Sequence, residues 1–202
     1  MEISCIVLAG GRSSRLGHDK IFKTVGDRNL LDLVIDCVTP LSQETILVAA
    51  SNNNLTCSDR YPALKIVTDV QPGKGPLGGI YTGLLASKSW HNLVVASDMP
   101  FLNPELLRYM IQVSTDYDLT VPRVGHLAEP LHAIYTKNCL EPVQSLLNQG
   151  ELSVRRLFPM VRTRYMEAAE IERFDPEHLS FFNINTKADL LQAEEIARGM
   201  EP

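Results

Sequence analysis

The chain predicts an α/β fold with a parallel or mostly parallel sheet, and three observations carry that prediction. Short β-branched runs alternate with stretches of helical periodicity through the first two-thirds of the sequence, the pattern of strand–helix–strand units. The runs Ile3-Ser4-Cys5-Ile6-Val7 and Leu93-Val94-Val95-Ala96 are almost continuously apolar, as strands covered on both faces are. Glycine-rich or acidic turns follow these runs, where ligand loops of open α/β sheets sit.

Residues 3–8 read as the first strand, followed by a glycine loop. Residues 30–38 place Leu30, Leu31, Leu33, Val34 and Val38 at helical spacing. Residues 45–50 form a second strand and 65–68 a short third. A turn-rich Pro-Gly-Lys-Gly-Pro segment precedes a helix over 77–87, and 92–96 is a central strand. Asn103 caps a helix over 104–114, with Pro104 in the first helical position, where its missing N–H costs nothing. Residues 119–122 and 132–135 are two more strands and 141–148 another helix. A strand over 163–166 and a helix over 186–198 close the chain. No linker, repeat or low-complexity stretch interrupts this series, so residues 1–202 are expected to form one domain.

Composition narrows the class. With 202 residues, 45% hydrophobic and 21% charged, the chain can bury a full core and is not disordered. A net charge of −5 argues against a nucleic-acid binder, because the basic residues cluster only locally. Cys5, Cys37, Cys57 and Cys139 lack Cys-x-x-Cys spacing and read as free thiols of a reducing compartment. The N-terminus has no signal-peptide pattern and no apolar run approaches the roughly 18 residues of a membrane span. A cytoplasmic protein without membrane or nucleic-acid partners is expected.

The segment Leu8-Ala9-Gly10-Gly11-Arg12-Ser13-Ser14-Arg15-Leu16-Gly17-His18-Asp19-Lys20 carries the strongest chemical signal. Glycines let backbone N–H groups face an anion, and Arg12, Arg15 and Lys20 crowd three cations into the same loop. A polyphosphate would relieve their repulsion. The spacing is neither Gly-x-Gly-x-x-Gly nor the P-loop pattern. Asp98 directly follows an apolar strand and is placed to hold Mg²⁺ against triphosphate oxygens, an Asx turn or helix cap being the alternative. Asp69 also ends a strand and could hold metal or ribose, with the same alternative. In Pro72-Gly73-Lys74-Gly75-Pro76-Leu77-Gly78-Gly79 the small residues would let backbone pass close to a base or ribose, unless the segment is a surface loop. Asn52 could offer its amide to a base edge or simply form a turn. The five histidines have no metal-ligand spacing, and no nucleophile motif appears. Cations, a metal carboxylate and positioning groups suit phosphoryl or nucleotidyl transfer.

The loop at 8–20 resembles the signature loop of the molybdenum cofactor guanylyltransferases, the MobA-type nucleotidyltransferases. Four further blocks resemble that family in order: Val67 to Ile80, Ala96-Ser97-Asp98-Met99-Pro100-Phe101-Leu102, Glu129-Pro130-Leu131-His132-Ala133-Ile134-Tyr135, and Phe181 to Leu190. The resemblance implies a single-domain, Rossmann-like three-layer α/β/α sandwich, the nucleotidyltransferase fold. It implies Mg²⁺-dependent transfer of GMP from GTP to a molybdopterin-type cofactor, giving the guanine dinucleotide cofactor and pyrophosphate. Leu8, Ala9, Gly10, Gly11, Arg12, Lys20, Asn52, Asp69 and Asp98 would bind GTP, with Asp98 also binding the metal. Arg15, Lys20 and Asp98 would be the catalytic groups. Asn183, Asn185 and Arg156 (or its neighbour Arg155) fall on the pterin side. Other cofactor-biosynthesis proteins and recipient molybdoenzymes are implied as partners. Gly11 favours GTP, since relatives that use CTP tend to read Leu-Ala-Ala-Gly. A cytidylyltransferase, another nucleotidyltransferase, or a noncatalytic nucleotide- or cofactor-binding module are the alternatives. Leu16 stands where the family usually has methionine. Met99 stands where threonine is common, so a hydroxyl near the metal is expected to be missing.

Overall fold

The computed structural model describes residues 2–9, 24–50 and 60–200. At its centre lie β1 (Ile3–Ala9), β4 (Glu44–Ala49) and β6 (His91–Ala96), with β1 paired in parallel to both of the others. Beyond β4 lies β5 (Lys65–Thr68), again parallel. On the other side come β9 (His132–Thr136), β7 (Leu119–Val124) and β10 (Thr163–Glu167), giving the order β10-β7-β9-β6-β1-β4-β5. Only β9 runs against its neighbours β6 and β7 within this path, and the two-residue β8 (Leu127–Ala128) hairpins onto β7. The mostly parallel sheet is as expected.

Strict alternation on the central strands explains how the sheet is covered twice. Ile6, Leu8, Ile46, Val48 and Val94 face α2 (Gly75–Ala86) and α4 (Leu140–Asn148). Cys5, Val7, Ala9, Leu47, Leu93 and Val95 face α1 (Leu30–Val38), α3 (Pro104–Val113) and the short α5 (Ala168–Ile171). Every residue of β1 is buried, which is why its sequence shows no polar face. A smaller cluster of Val25, Leu30, Ile184 and Ala193 fastens the closing helix α6 (Lys187–Met200) to α1.

The helix boundaries follow local chemistry. The Asn29 side chain accepts from the Leu31 N–H at 2.9 Å, and the Asn103 side chain accepts from the N–H groups of Glu105 and Leu106, as its cap position predicts. α2 starts at Gly75, two residues before the predicted position, because Gly73 (φ +79°) and Gly75 (φ +61°) complete the preceding turn in the left-handed region. Its last carbonyls receive the Lys137 ammonium at Ser87 (2.8 Å) and the Lys65 ammonium at Ala86 (2.5 Å). Not anticipated were the hairpin of β2 (Thr24–Val25) and β3 (Arg28–Asn29), and the 3-10 segment Val154–Met160, which buries Val154, Leu157 and Phe158 on the α2 face.

The glycines at 78–83 carry a packing role. A Cβ on Gly79 would sit 3.3 Å from Leu8 Cδ2, and one on Gly83 2.4 Å from Ile6 Cγ2. A Cβ on Gly78 would meet the Gln71 carbonyl at 2.8 Å. The space at these three glycines is filled by β1 and Gln71, whereas nothing lies within 4 Å of a Cβ on Gly73 or Gly75.

Candidate active site

Chain order reverses direction across the sheet between β1 and β6: the chain winds outward through β4 and β5, then returns to β6 on the other side of β1. Crevices at such reversals lie beyond the carboxyl ends of the strands. The two ends are tied together here, since Leu8 pairs with Ala96 and the Ser97 N–H donates to the Leu8 carbonyl at 3.1 Å. Asp98, half-buried, follows immediately. Leu8 and Ala9 close β1 at this edge, their side chains in the core. Gly10, Gly11, Arg12, Arg15, Lys20 and Asn52 lie outside the described residues, as does Cys57; Cys5, Cys37 and Cys139 are free thiols.

Asp98 is also where the chain's last block arrives. The Ile184 N–H donates to the Asp98 carbonyl at 3.0 Å, setting Asn183 and Asn185 on either side of that contact. Ile184 is fully buried, and Phe182 packs on Phe101 with ring centroids 5.9 Å apart. The Asn183 amide donates to the Phe181 carbonyl at 2.9 Å. Asp189 accepts from the N–H groups of Asn185 and Thr186 while Thr186 Oγ1 accepts from the Asp189 N–H, a reciprocal cap that fixes Asn185 at the mouth of α6. Residues far apart in sequence, the blocks at 96–102 and 181–190, thus meet through a backbone hydrogen bond.

Asp69 stands at the carboxyl end of β5, its N–H bonded to the Ala49 carbonyl at 2.8 Å. Its Oδ1 accepts from the Gln71 N–H at 2.9 Å and from the Thr82 hydroxyl at 2.7 Å, and Thr82 Oγ1 in turn accepts from the Val70 N–H at 3.1 Å. The Asx-turn alternative for Asp69 is therefore realised on one carboxylate oxygen. Thr82, buried on α2, is a site residue that local sequence reading missed, and no signal marks a threonine in a helix as a partner for an aspartate thirteen positions earlier.

Met99 differs from expectation. Its side chain is 1% exposed and packs with Leu102, Leu106 and Leu107, so it belongs to the α3-face core. A threonine hydroxyl there would meet apolar side chains, so Met99 removes nothing from Asp98's surroundings.

Beyond the end of β6 the edge continues in the turn into β9. The Ala96 N–H donates to the Leu131 carbonyl at 3.1 Å, which brings Glu129-Pro130-Leu131 beside the end of β6. Arg156 is turned outward and pairs with Glu151 at 3.3 Å, whereas Arg155 reaches toward the Ala128 carbonyl at 3.5 Å. His132 follows, fully buried, edge-on to Phe181 at 4.9 Å, with neither ring nitrogen in hydrogen-bond geometry. Burial holds its pKa down at about 4, against opposing pulls from Asp175 and the Ser180 backbone. Among the described residues no three His, Cys, Asp or Glu side chains gather into a site that could enclose a metal, and no helix is long and apolar enough to cross a membrane.

Known proteins place this geometry. Residues 5–165 match the model of the MobA-like NTP transferase domain. The chain is 34% identical over 197 residues to a probable molybdenum cofactor guanylyltransferase of Pelotomaculum thermopropionicum, covering 98% of this chain and 94% of that one. The crystal structure of molybdopterin-guanine dinucleotide biosynthesis protein A from Archaeoglobus fulgidus superposes with a TM-score of 0.85 at 29% identity, covering 98% of this chain and all of that one (100%). A 4-diphosphocytidyl-2C-methyl-D-erythritol synthase from Anaerococcus prevotii shares the fold at a TM-score of 0.76 and 16% identity, covering 98% of this chain and 96% of that one. The chain belongs to the MobA-like nucleotidyltransferases.

Proposed function

We propose that this protein transfers GMP from GTP to a molybdopterin-type cofactor, forming the guanine dinucleotide cofactor and pyrophosphate. The observation that carries the reading is the contact between Ile184 N–H and the Asp98 carbonyl, which brings Asp98 beside Asn183 and Asn185 in a chain of this family. The terminal phosphate oxygen of the acceptor forms a bond to the α-phosphorus of GTP as the bond from that phosphorus to the β-bridging oxygen breaks, and pyrophosphate leaves. No general base is required, because a phosphate monoester with a second pKa of about 6 is already ionised near neutral pH.

Protein catalysis is then alignment and charge neutralisation. Arg12, Arg15, Lys20 and the amides of the 8–11 backbone meet the triphosphate, with Arg15 and Lys20 on the developing charge. Asp69 and Asn52 flank the ribose and guanine from the β4–β5 side, and Asn183 and Asn185 flank the acceptor. The donor set fits Mg²⁺ as a substrate-borne ion: one carboxylate, Asp98, at the strand end suffices when phosphates and water complete the shell. Bound there, the ion would draw charge from the phosphate oxygens. The eight-stranded sheet, covered by helices on both faces, supports one nucleotidyltransferase domain over 1–202, and the same reading sets the protein in the cytoplasm beside cofactor-biosynthesis proteins and recipient molybdoenzymes. The test is purified protein with Mg²⁺, molybdopterin and each of GTP, CTP and ATP, read by pyrophosphate release and product mass. GTP is expected to be preferred; preference for CTP, or turnover with none, overturns the reading.

A further inference from the structure

The turn between β8 and β9 is held at every step. The Glu129 N–H donates to the Pro122 carbonyl at 3.0 Å, the His132 N–H to the Glu129 carbonyl at 3.1 Å, and the buried Tyr135 hydroxyl to the Pro130 carbonyl at 2.7 Å. With the Ala96–Leu131 bond, these contacts make Glu129 a rigidly mounted residue at the carboxyl edge, one strand beyond Asp98. Its side chain is used differently from its neighbours'. Arg123 pairs with Glu167, Arg156 with Glu151, Arg162 with Asp118 and Arg164 with Glu170. Glu129 has no salt bridge or side-chain hydrogen bond among the described residues, although it is half-buried. Burial pushes the Glu129 carboxyl up, against a smaller opposing pull from Arg155, which reaches the Ala128 carbonyl at 3.5 Å instead of pairing with it.

The Glu129 oxygens are not among the buried unpartnered atoms, so the carboxylate opens to solvent at this edge, where a ligand's donors can replace water. A carboxylate offers two acceptor oxygens side by side and no donor, which complements two adjacent N–H groups on one edge of a ligand. The 2-amino-4-oxopyrimidine edge of a pterin is such a group, with N3–H beside the 2-amino group. Guanine carries the same edge, but Glu129 lies on the β9–β7 half of the sheet, across β6 and β1 from the β4–β5 half flanked by Asp69. We infer that Glu129 is the residue that reads the amino-pyrimidinone edge of the pterin acceptor. This inference rests on the acceptor being a pterin, as proposed above.

The test compares the wild-type protein with Glu129→Gln, which keeps the shape and exchanges one acceptor oxygen for a donor, and with Glu129→Ala. Direct binding of pterin-6-carboxylate is measured by fluorescence against lumazine-6-carboxylate, in which an oxo group replaces the 2-amino group. The wild-type protein is expected to prefer the pterin by about 10-fold or more, the worth of a hydrogen bond to a charged group, and both variants to lose that preference. In turnover, the variants are expected to raise the KM for molybdopterin by about 10- to 100-fold with the KM for GTP unchanged. Equal binding of the two pteridines by the wild-type protein, a preference that survives Glu129→Gln, or a KM that rises for GTP instead, overturns the inference. A wild-type protein that turns over no nucleotide yet shows the Glu129-dependent pterin preference sinks the proposed reaction and leaves this assignment standing.

Discussion

Thr82→Val isolates the link between α2 and the turn that presents Asp69. Valine matches threonine in shape, so no cavity opens at this 2% exposed position and the change removes only the hydroxyl. That hydroxyl has one hydrogen and two nearby acceptors, Asp69 Oδ1 at 2.7 Å and the Gly78 carbonyl at 3.0 Å. The carboxylate is the stronger acceptor and the closer one, so it takes the proton. Losing a hydrogen bond to a charged group costs about 1.5–3 kcal/mol. The Val70 N–H also loses its acceptor, but Val70 is 58% exposed and water replaces that bond. A net loss of about 2 kcal/mol follows, placed low in the hydrogen-bond range because Asp69 keeps its bond to Gln71 N–H. For a chain of this size the urea m-value is about 3 kcal/mol/M, so the midpoint is expected to fall by about 0.7 M. Because the same hydroxyl orients Asp69, the KM for GTP is expected to rise several-fold; Thr82→Ser is expected to restore the KM and, having lost a buried methyl worth about 1 kcal/mol, only part of the midpoint. A midpoint within 0.2 M of wild type, with unchanged KM, would refute the reasoning (~0.2 M being well under the predicted shift).

Three further outcomes are expected. Gly83→Ala places a methyl group 2.4 Å from Cγ2 of the fully buried, β-branched Ile6, an overpacking cost of about 1–3 kcal/mol that outweighs the roughly 1 kcal/mol helix gain; Gly199→Ala, with nothing within 4 Å, is expected to show the gain alone in the same urea titration. His132 binds a proton more readily when unfolded, at an ordinary pKa of 6.5, than when folded, at about 4, so its contribution to stability is full above 6.5 and is lost as pH falls toward 4. That loss is about 3 kcal/mol, and His132→Leu is expected to remove it from the stability–pH curve in that window; the depressed carboxyls of Glu44, Asp118 and Glu170 are lost at lower pH in both proteins. Arg156→Ala is expected to leave acceptor KM unchanged, because Arg156 is turned outward onto Glu151, while Arg155→Ala raises it; the reverse pattern would restore Arg156 to the acceptor side.

The parts of the fold that could be read from sequence are those whose causes are local. β1, β4 and β6 announce themselves because burial on both faces demands unbroken apolar runs, and α3 does so through Asn103 and Pro104 at its start. Strand direction has no such local cause: His132 to Tyr135 reads as one more strand, and only the pairing of β9 with β6 and β7 makes it antiparallel. The two-residue strands β2, β3 and β8 are too short for periodicity to register.

The site divides the same way. Asp98 and Asp69 were legible because a carboxylate directly after an apolar run must lie at a strand's end. The partners that decide what each can do come from elsewhere in the chain: Thr82 for Asp69, Ile184 for Asp98, and the Pro122 and Leu131 carbonyls for the turn that mounts Glu129. Met99, next in sequence to Asp98, packs instead into the core on the α3 face.

Transfer of label from GTP tests the central claim most directly. With GTP labelled at the α-phosphorus, molybdopterin and Mg²⁺, the wild-type protein is expected to move the label into a pterin dinucleotide while unlabelled pyrophosphate is released. Asp98→Asn, folded by circular dichroism, is expected to move none. Label appearing in pyrophosphate or free phosphate rather than in the pterin product, or a folded Asp98→Asn protein transferring label at the wild-type rate, would contradict the account.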